Sequence, residues 1–218
     1  MTDFIEVPAS NYSLSARKLV YGAGINDSWY ATHSKSDGGI RTRCPYYVVW
    51  ADMIERACSI KHKEKYPTYI GCSVAKEWLT FSKFRAWMKL QDWKGKHLDK
   101  DIFVCGNKHY SDNTCIFISG AMNSLLCDSA ATRGDNPQGV CWDKVNKKYE
   151  AYCNVKGKKK KLGRFDLVNK AEYEYLIFKA DLINKTAYEE EAAGNPKLQQ
   201  GLLRHAKIFT DRSLLISP

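Results

Sequence analysis

The stretch "GVCWDKVNKKYEAYCNVKGKKKKLGRFDLVNKAEYEYLIFKA", residues 139–180, decides the fold. Within it "GVCWDKV", "KYEAYCNVK" and "KKKLGRF" read as three short strands joined by polar turns. A helix follows, with Asn169 at its N-cap and Glu172 three residues later, a capping-box arrangement. Ala171, Tyr175, Phe178 and Leu182 recur at spacings of four, three and four, so they share one face of that helix. That face is the cover a small sheet needs, and the segment reads as a three-stranded antiparallel sheet packed on a helix. The chain as a whole is expected to be α+β.

The same stretch is strongly charged. From Asp143 to Arg164 nine basic residues (Lys144, Lys147, Lys148, Lys156, Lys158, Lys159, Lys160, Lys161 and Arg164) stand against two acids, Asp143 and Glu150. With the helix on one side, the cations and Trp142 are expected to share the wet side. A two- or three-stranded sheet fits the DNA major groove, where lysines neutralise phosphates and Arg or Trp reach base edges. A lysine run is also what a solvated hairpin tip looks like. The interleaved Trp142, Tyr149 and Tyr152 favour nucleic acid, and so does the net charge of +10 over 218 residues.

Upstream, "CPYYVVWADMIERACSI" predicts a helix with Pro45 in its first position and Tyr46, Val49, Trp50, Met53, Ile54 and Ala57 at helical spacing. "PTYIGCSVAKEWLTFSKFRAWM" adds a turn at Gly71 and a helix whose Phe81, Phe84 and Trp87 recur every three residues. Such one-sided aromatics read as core rather than as a base-stacking platform. "HLDKDIFV" then reads as a strand, "CGNKHYSDN" as its turn, "TCIFIS" as the partner strand and "GAMNSLLCDS" as a short helix capped by Ser119. A loop, "AATRGDNPQG", precedes the sheet, the acidic "YEEEAAGNP" reads as a connector, and "KLQQGLLRHAKIF" as a last helix. The segments expected are a helical and mixed scaffold (1–94), a ββα unit (95–131), the sheet-and-helix domain (137–187) and a helical tail (188–218).

No apolar run approaches the roughly 20 residues that span a bilayer. The acidic start "MTDFIEVPAS" lacks a basic-then-apolar leader pattern, so a cytoplasmic protein with no membrane partner is expected. The eight cysteines include no Cys-x-x-Cys pair, which argues for small buried hydrophobes and against zinc. The ββα unit is different in kind, because it carries Asp99, Lys100, Asp101, Asn107, Asn113 and Asn123. Phosphodiester hydrolysis needs a metal at the phosphate and a base to activate water. Carboxylate and amide oxygens are hard ligands that suit Mg²⁺ or Mn²⁺.

Two resemblances bear on these segments. The Gly-Val opening, the aromatic middle strand, "KKLGRFD" and the Ala- and Tyr-bearing helix resemble the plant Apetala/ethylene-response-factor DNA-binding domain over about fifty residues. That likeness implies docking of the sheet in the major groove of double-stranded DNA, with Trp142, Lys144, Lys148, Tyr149 and Arg164 on the reading face. Lys159 and Lys160 would neutralise phosphates. "PTYIGCSVAKEWLTFSKFRAWM" and "LDKD…GNKHYSDNTCIFIS…MNSLL" resemble phage HNH endonucleases, homing type among them, whose ββα metal motif often sits beside such a domain. By position Asp99 matches the metal-binding acid of the first strand, Asn113 the Asn that orients the catalytic residue, and Asn123 the helical metal ligand.

The chain departs from that pattern at Lys100, where a His usually follows the strand acid. A lysine with its ordinary pKa near 10.4 is a poor base at neutrality, though it can neutralise phosphate. His97 lies two residues before Asp99 on the same strand face and is the substitute base; His109 in the turn is a second candidate. Without the resemblance, Asp99 and Asp101 read as surface ion-pair partners, and Asn113 and Asn123 as turn and helix caps. The expectation is a metal-dependent DNA endonuclease, monomeric or homodimeric, in the host cytoplasm if phage-encoded. The alternatives are a catalytically degenerate, sequence-specific DNA-binding regulator and a protein that blocks a host enzyme.

Overall fold

The computed structural model describes residues 4–35, 41–128 and 134–216. Residues 130–133, the start of the loop expected before the sheet, lie outside them. In chain order the elements are α1 (Asn11–Ser15), β1 (His33–Lys35), β2 (Arg41–Arg43), α2 (Pro45–Cys58), α3 (Ile60–Lys65), β3 (Ser73–Val74), α4 (Phe81–Lys89), β4 (Lys96–Asp99), β5 (His109–Tyr110), β6 (Ile116–Ser119), α5 (Gly120–Leu126), β7 (Val140–Asp143), β8 (Lys148–Val155), β9 (Lys158–Phe165), α6 (Val168–Ala192) and α7 (Pro196–Leu214). Helices and antiparallel sheet coexist, and the fold is α+β. Two compact units divide the chain: Met1–Asp101 with Gly106–Phe117, and Ile102–Cys105 with Ile118–Pro218. The division falls inside the segment 95–131 that the sequence presents as one ββα unit.

The first unit is built on α2 and α4. Pro45 occupies the first turn of α2, where its missing N–H has no helical partner to lose. Trp50, Met53, Ile54 and Ala57 form the buried stripe of α2, and Phe81, Phe84 and Met88 that of α4. Trp50 is fully buried, stands 5.4 Å from the Phe81 ring, and donates its indole N–H to the Trp78 carbonyl at 2.8 Å. Trp87 packs on Trp78 at 4.5 Å and on Phe117 at 5.8 Å. The aromatics of α4 are therefore core. β3 and β5 pair in parallel, with Ser73 opposite His109.

The ββα order is present: β4 pairs with β6, and α5 follows directly. Ser119 caps α5, its hydroxyl accepting from the Met122 N–H at 3.1 Å. The first strand is shorter than "HLDKDIFV" suggests, because the chain leaves the extended path at Lys100.

In the second unit β7, β8 and β9 form an antiparallel sheet in sequence order. Lys156 and Gly157, both at positive φ, make the two-residue turn between β8 and β9. Val140 and Ala151 meet Ala171 of α6, and Cys153 meets Tyr175 and Leu176. On α7, Leu198, Leu202 and Ala206 are buried, and Phe209 packs edge-on to Tyr175. Two expectations need correction here. Asn169 is not the N-cap of α6: Leu167 holds that place, and Asn169 Oδ1 instead accepts from the adjacent Lys170 N–H. Burial of Val168 against the sheet draws the helix start upstream of its best capping residue. The acidic stretch at 188–192 is not a connector either, because α6 runs to Ala192 with Ala187 buried.

Candidate nucleic-acid interface

Strand alternation gives the sheet two unlike faces. Toward α6 point Val140, Tyr149, Ala151 and Cys153, which belong to its apolar clusters. Away from it point Lys148, Glu150 and Tyr152 of β8, with Cys141 and Asp143 opposite them on β7. On β9 the pairing slips by one residue: Ala151 opposes Gly163 but Tyr152 opposes Lys161. The extra residue is Leu162, which packs into the apolar clusters. Such a bulge resets the alternation of its strand, and it brings Lys159 and Lys161 to the same outer face as Arg164.

Glu150 is the centre of that face. Its side chain is only 7% exposed; Oε1 accepts from Lys159 Nζ at 2.9 Å, and Oε2 accepts from Lys161 Nζ at 2.8 Å. Arg164 Nε stands 3.7 Å from Glu150 and 3.1 Å from Asp143. Hydrogen bonds from Lys161 and Lys159 hold the Glu150 carboxyl below the usual glutamate range, and the same bond raises the Lys159 ammonium. Asp143 accepts from the Asn146 side chain and from the backbone N–H groups of Asn146 and Val145, which closes the β7–β8 turn and lowers its carboxyl. Lys159 also lies over the Tyr152 ring, 4.0 Å from its centroid. Among the described residues Lys144, Lys147, Lys156 and Lys158, at the two turn ends, join no ion pair.

Two expected reading-face residues and one expected phosphate contact are placed otherwise. Tyr149 packs toward α6, and Trp142 stands opposite it in register with the rings 4.8 Å apart and edge-on, so both belong to the helix side. Trp142 is still 44% exposed at the rim. Lys160 also turns to the helix side, 4.5 Å over the Phe178 ring. Lys148 is on the outer face and pairs with Asp166 at 3.3 Å. The organising roles of Glu150 and Lys161 were not singled out in the sequence, where Glu150 counts only as one opposing charge.

His97, Asp99, Lys100 and Asn113 lie in the first unit and Asn123 in the second. Leu98 packs on the first unit's core, so His97 and Asp99 share the opposite face of β4, with His97 exposed. Asp99 Oδ1 accepts from the Asp101 N–H at 3.0 Å. Lys100 does not reach outward: its side chain is 11% exposed, with the ammonium 3.4 Å from Asp101 Oδ2 and 5.7 Å over the buried Tyr110 ring. Asn107 ties this turn together, donating to the Lys100 and His109 carbonyls at 2.7 and 2.8 Å. His109 Nδ1 is 2.9 Å from the Ser73 hydroxyl. Asn113 is exposed in the turn before β6, and Asn123 is half-buried on α5.

Among the described residues no group of three or more His, Cys, Asp and Glu is placed to hold a metal ion. The Asp99 carboxylate nonetheless fits Mg²⁺ chemically, since that ion keeps several waters and takes one or two protein carboxylates. All eight cysteines are free thiols, and Cys115 beside Asp99 is pushed up to about 12 by burial. Among the described residues no helix is long and apolar enough to cross a membrane. Compared with known protein families, with curated proteins and with solved structures, the chain finds no match.

Proposed function

We propose that the protein binds double-stranded DNA through the outer face of the β7–β8–β9 sheet and cuts it as a metal-dependent endonuclease of the HNH type. The observation that carries the reading is that face: it is uncovered by α6, bears Lys148, Lys159, Lys161 and Arg164, and ends in turns with four lysines that join no ion pair among the described residues. Turn lysines contact phosphates, and the central Arg164 and Lys161 face base edges. Trp142 at the rim reaches the sugar-phosphate edge.

Asp99 would hold the ion, with waters completing its shell. A bound Mg²⁺ or Mn²⁺ would neutralise the scissile phosphate and stabilise the leaving oxygen. His97, on the Asp99 face of β4, takes the proton of the attacking water, and Asn113 orients the reacting groups. Lys100, drawn in against Asp101 and Tyr110, acts on the local field rather than as a base.

That placement of Lys100 also favours a second reading, sequence-specific DNA binding without cutting. The deciding experiment incubates the protein with double-stranded DNA in Mg²⁺, Mn²⁺ or EDTA and measures salt-dependent binding in parallel. Cleavage lost in EDTA and in Asp99→Ala, with binding retained, supports the nuclease. Binding without cleavage under any metal selects the second reading, and absence of both refutes the two together.

A further inference from the structure

We infer that Glu150 is the positioning residue of the DNA-reading face: it fixes Lys159, Lys161 and Arg164 as a preformed fan of donors, which sets sequence preference rather than affinity. The inference rests on the proposed DNA-binding role of the sheet.

A carboxylate on a face meant for polyanions opposes binding, so its presence needs a reason. Glu150 is one of two acids among the nine cations of this segment, and it is the better covered, at 7% side-chain exposure against 17% for Asp143. Both of its oxygens are engaged, and the cations on them come from positions 159, 161 and 164. No unbroken strand would align those positions on one side; the bulge at Leu162 does so. Lysine and arginine side chains lose much rotamer freedom when they bind. A buried anion that already holds three of them lowers that loss and aims their remaining N–H groups outward. Lys159 and Lys161 keep 45% and 64% of their side-chain surface exposed, and Arg164 keeps 44%. Each therefore has donors left for DNA. Phosphate contact needs only charge, which the turn lysines provide. Base-edge contact needs geometry, which Glu150 provides.

The test selects duplexes from a random-sequence library with wild-type protein. It then compares affinities for the selected duplex and for random duplex in wild type and Glu150→Gln. The variant gains a net positive charge, so affinity for random duplex is expected to hold or rise. Its preference for the selected duplex should fall about tenfold, within the range of one lost base contact. Unchanged preference overturns the inference, as does a wild type that binds DNA but selects no sequence. A wild type without salt-dependent DNA affinity overturns the proposed function itself. Because Glu150→Gln also removes an ion-pair hub, a second measurement uses the unaltered protein. NMR relaxation of the Arg164 Nε–H in free wild-type protein should show an ordered group, and mobility like that of a solvated arginine refutes the fan.

Discussion

Gly139 is the most exacting position in the second unit, and Gly139→Ala gives a magnitude that can be worked from the structure. Its φ is +75°, in the left-handed region. An L residue there costs about 1–2 kcal/mol. A Cβ at Gly139 would also fall on ring atoms of Tyr175. That tyrosine is 3% exposed and lies between the sheet and Phe209 of α7, so it has nowhere to swing. Forcing extra atoms into such packing costs a further 1–3 kcal/mol or so. The expected loss is about 2–5 kcal/mol, a large part of the 5–15 kcal/mol that holds a typical domain together. Gly157 is the control: its φ is +78°, yet nothing lies within 4 Å of its Cβ position, so Gly157→Ala pays only the backbone part. Urea unfolding followed by far-UV circular dichroism separates the two. Equal losses in both variants, or a loss at Gly139 below about 1 kcal/mol, would refute the packing argument. So would additivity between Gly139→Ala and Tyr175→Leu, because relief of the clash must appear as coupling.

Lys179 of α6 is 5% exposed, and burial lowers its ammonium pKa. The unfolded chain holds that proton more firmly than the folded one, so this group's contribution makes stability rise with pH up to the unfolded value near 10.5. Lys179→Met is expected to unfold at higher urea than wild type at pH 7, with the advantage shrinking toward pH 10. A fragment of the sheet domain ending at residue 185 should not fold, since it loses α7, whose Leu198, Leu202 and Ala206 are buried; loss of helical circular dichroism against a fragment reaching residue 216 checks this. In the nuclease reading, His97→Ala should slow cleavage by a factor on the order of 10², and Lys100→His should raise the rate or leave it; single-turnover cutting of plasmid DNA measures both.

Much of this fold was legible because its signals are local. Pro45, the Phe81–Phe84 spacing and the Ser119 cap each act within one or two turns of helix, and each holds in the structure. The short strands around a lysine-rich run were legible for the same reason. What local pattern misjudged was settled by tertiary burial: Val168 overrode the cap at Asn169, and Ala187 carried α6 through a stretch rich in glutamate. The helix-side placement of Trp142 was readable, since Val140 lies two residues before it and strands alternate.

The bulge at Leu162 was not readable, and it governs the candidate interface. Counted by strict alternation, Arg164 shares a face with Leu162, Lys160 and Lys158, and Lys159 and Lys161 fall opposite. With Arg164 outward, a strand in that register would turn Lys159 and Lys161 toward α6 and expose Leu162. One extra residue removes the conflict, because Leu162 turns into the apolar clusters while Lys159 and Lys161 come round to Glu150. The burial of one leucine and the pairing of one carboxylate therefore select the same register. Deleting Leu162 should separate the two: it restores strict pairing and leaves Lys159 and Lys161 on the face of Arg164, but removes the side chain that packs into the apolar clusters. Stability is then expected to fall while DNA affinity and sequence preference hold. Leu162→Ala, which keeps the bulge, should lose about 2 kcal/mol of packing, the low end for a leucine only partly buried, with the same preference in the protein that remains folded. A deletion variant that loses its preference would refute the register argument.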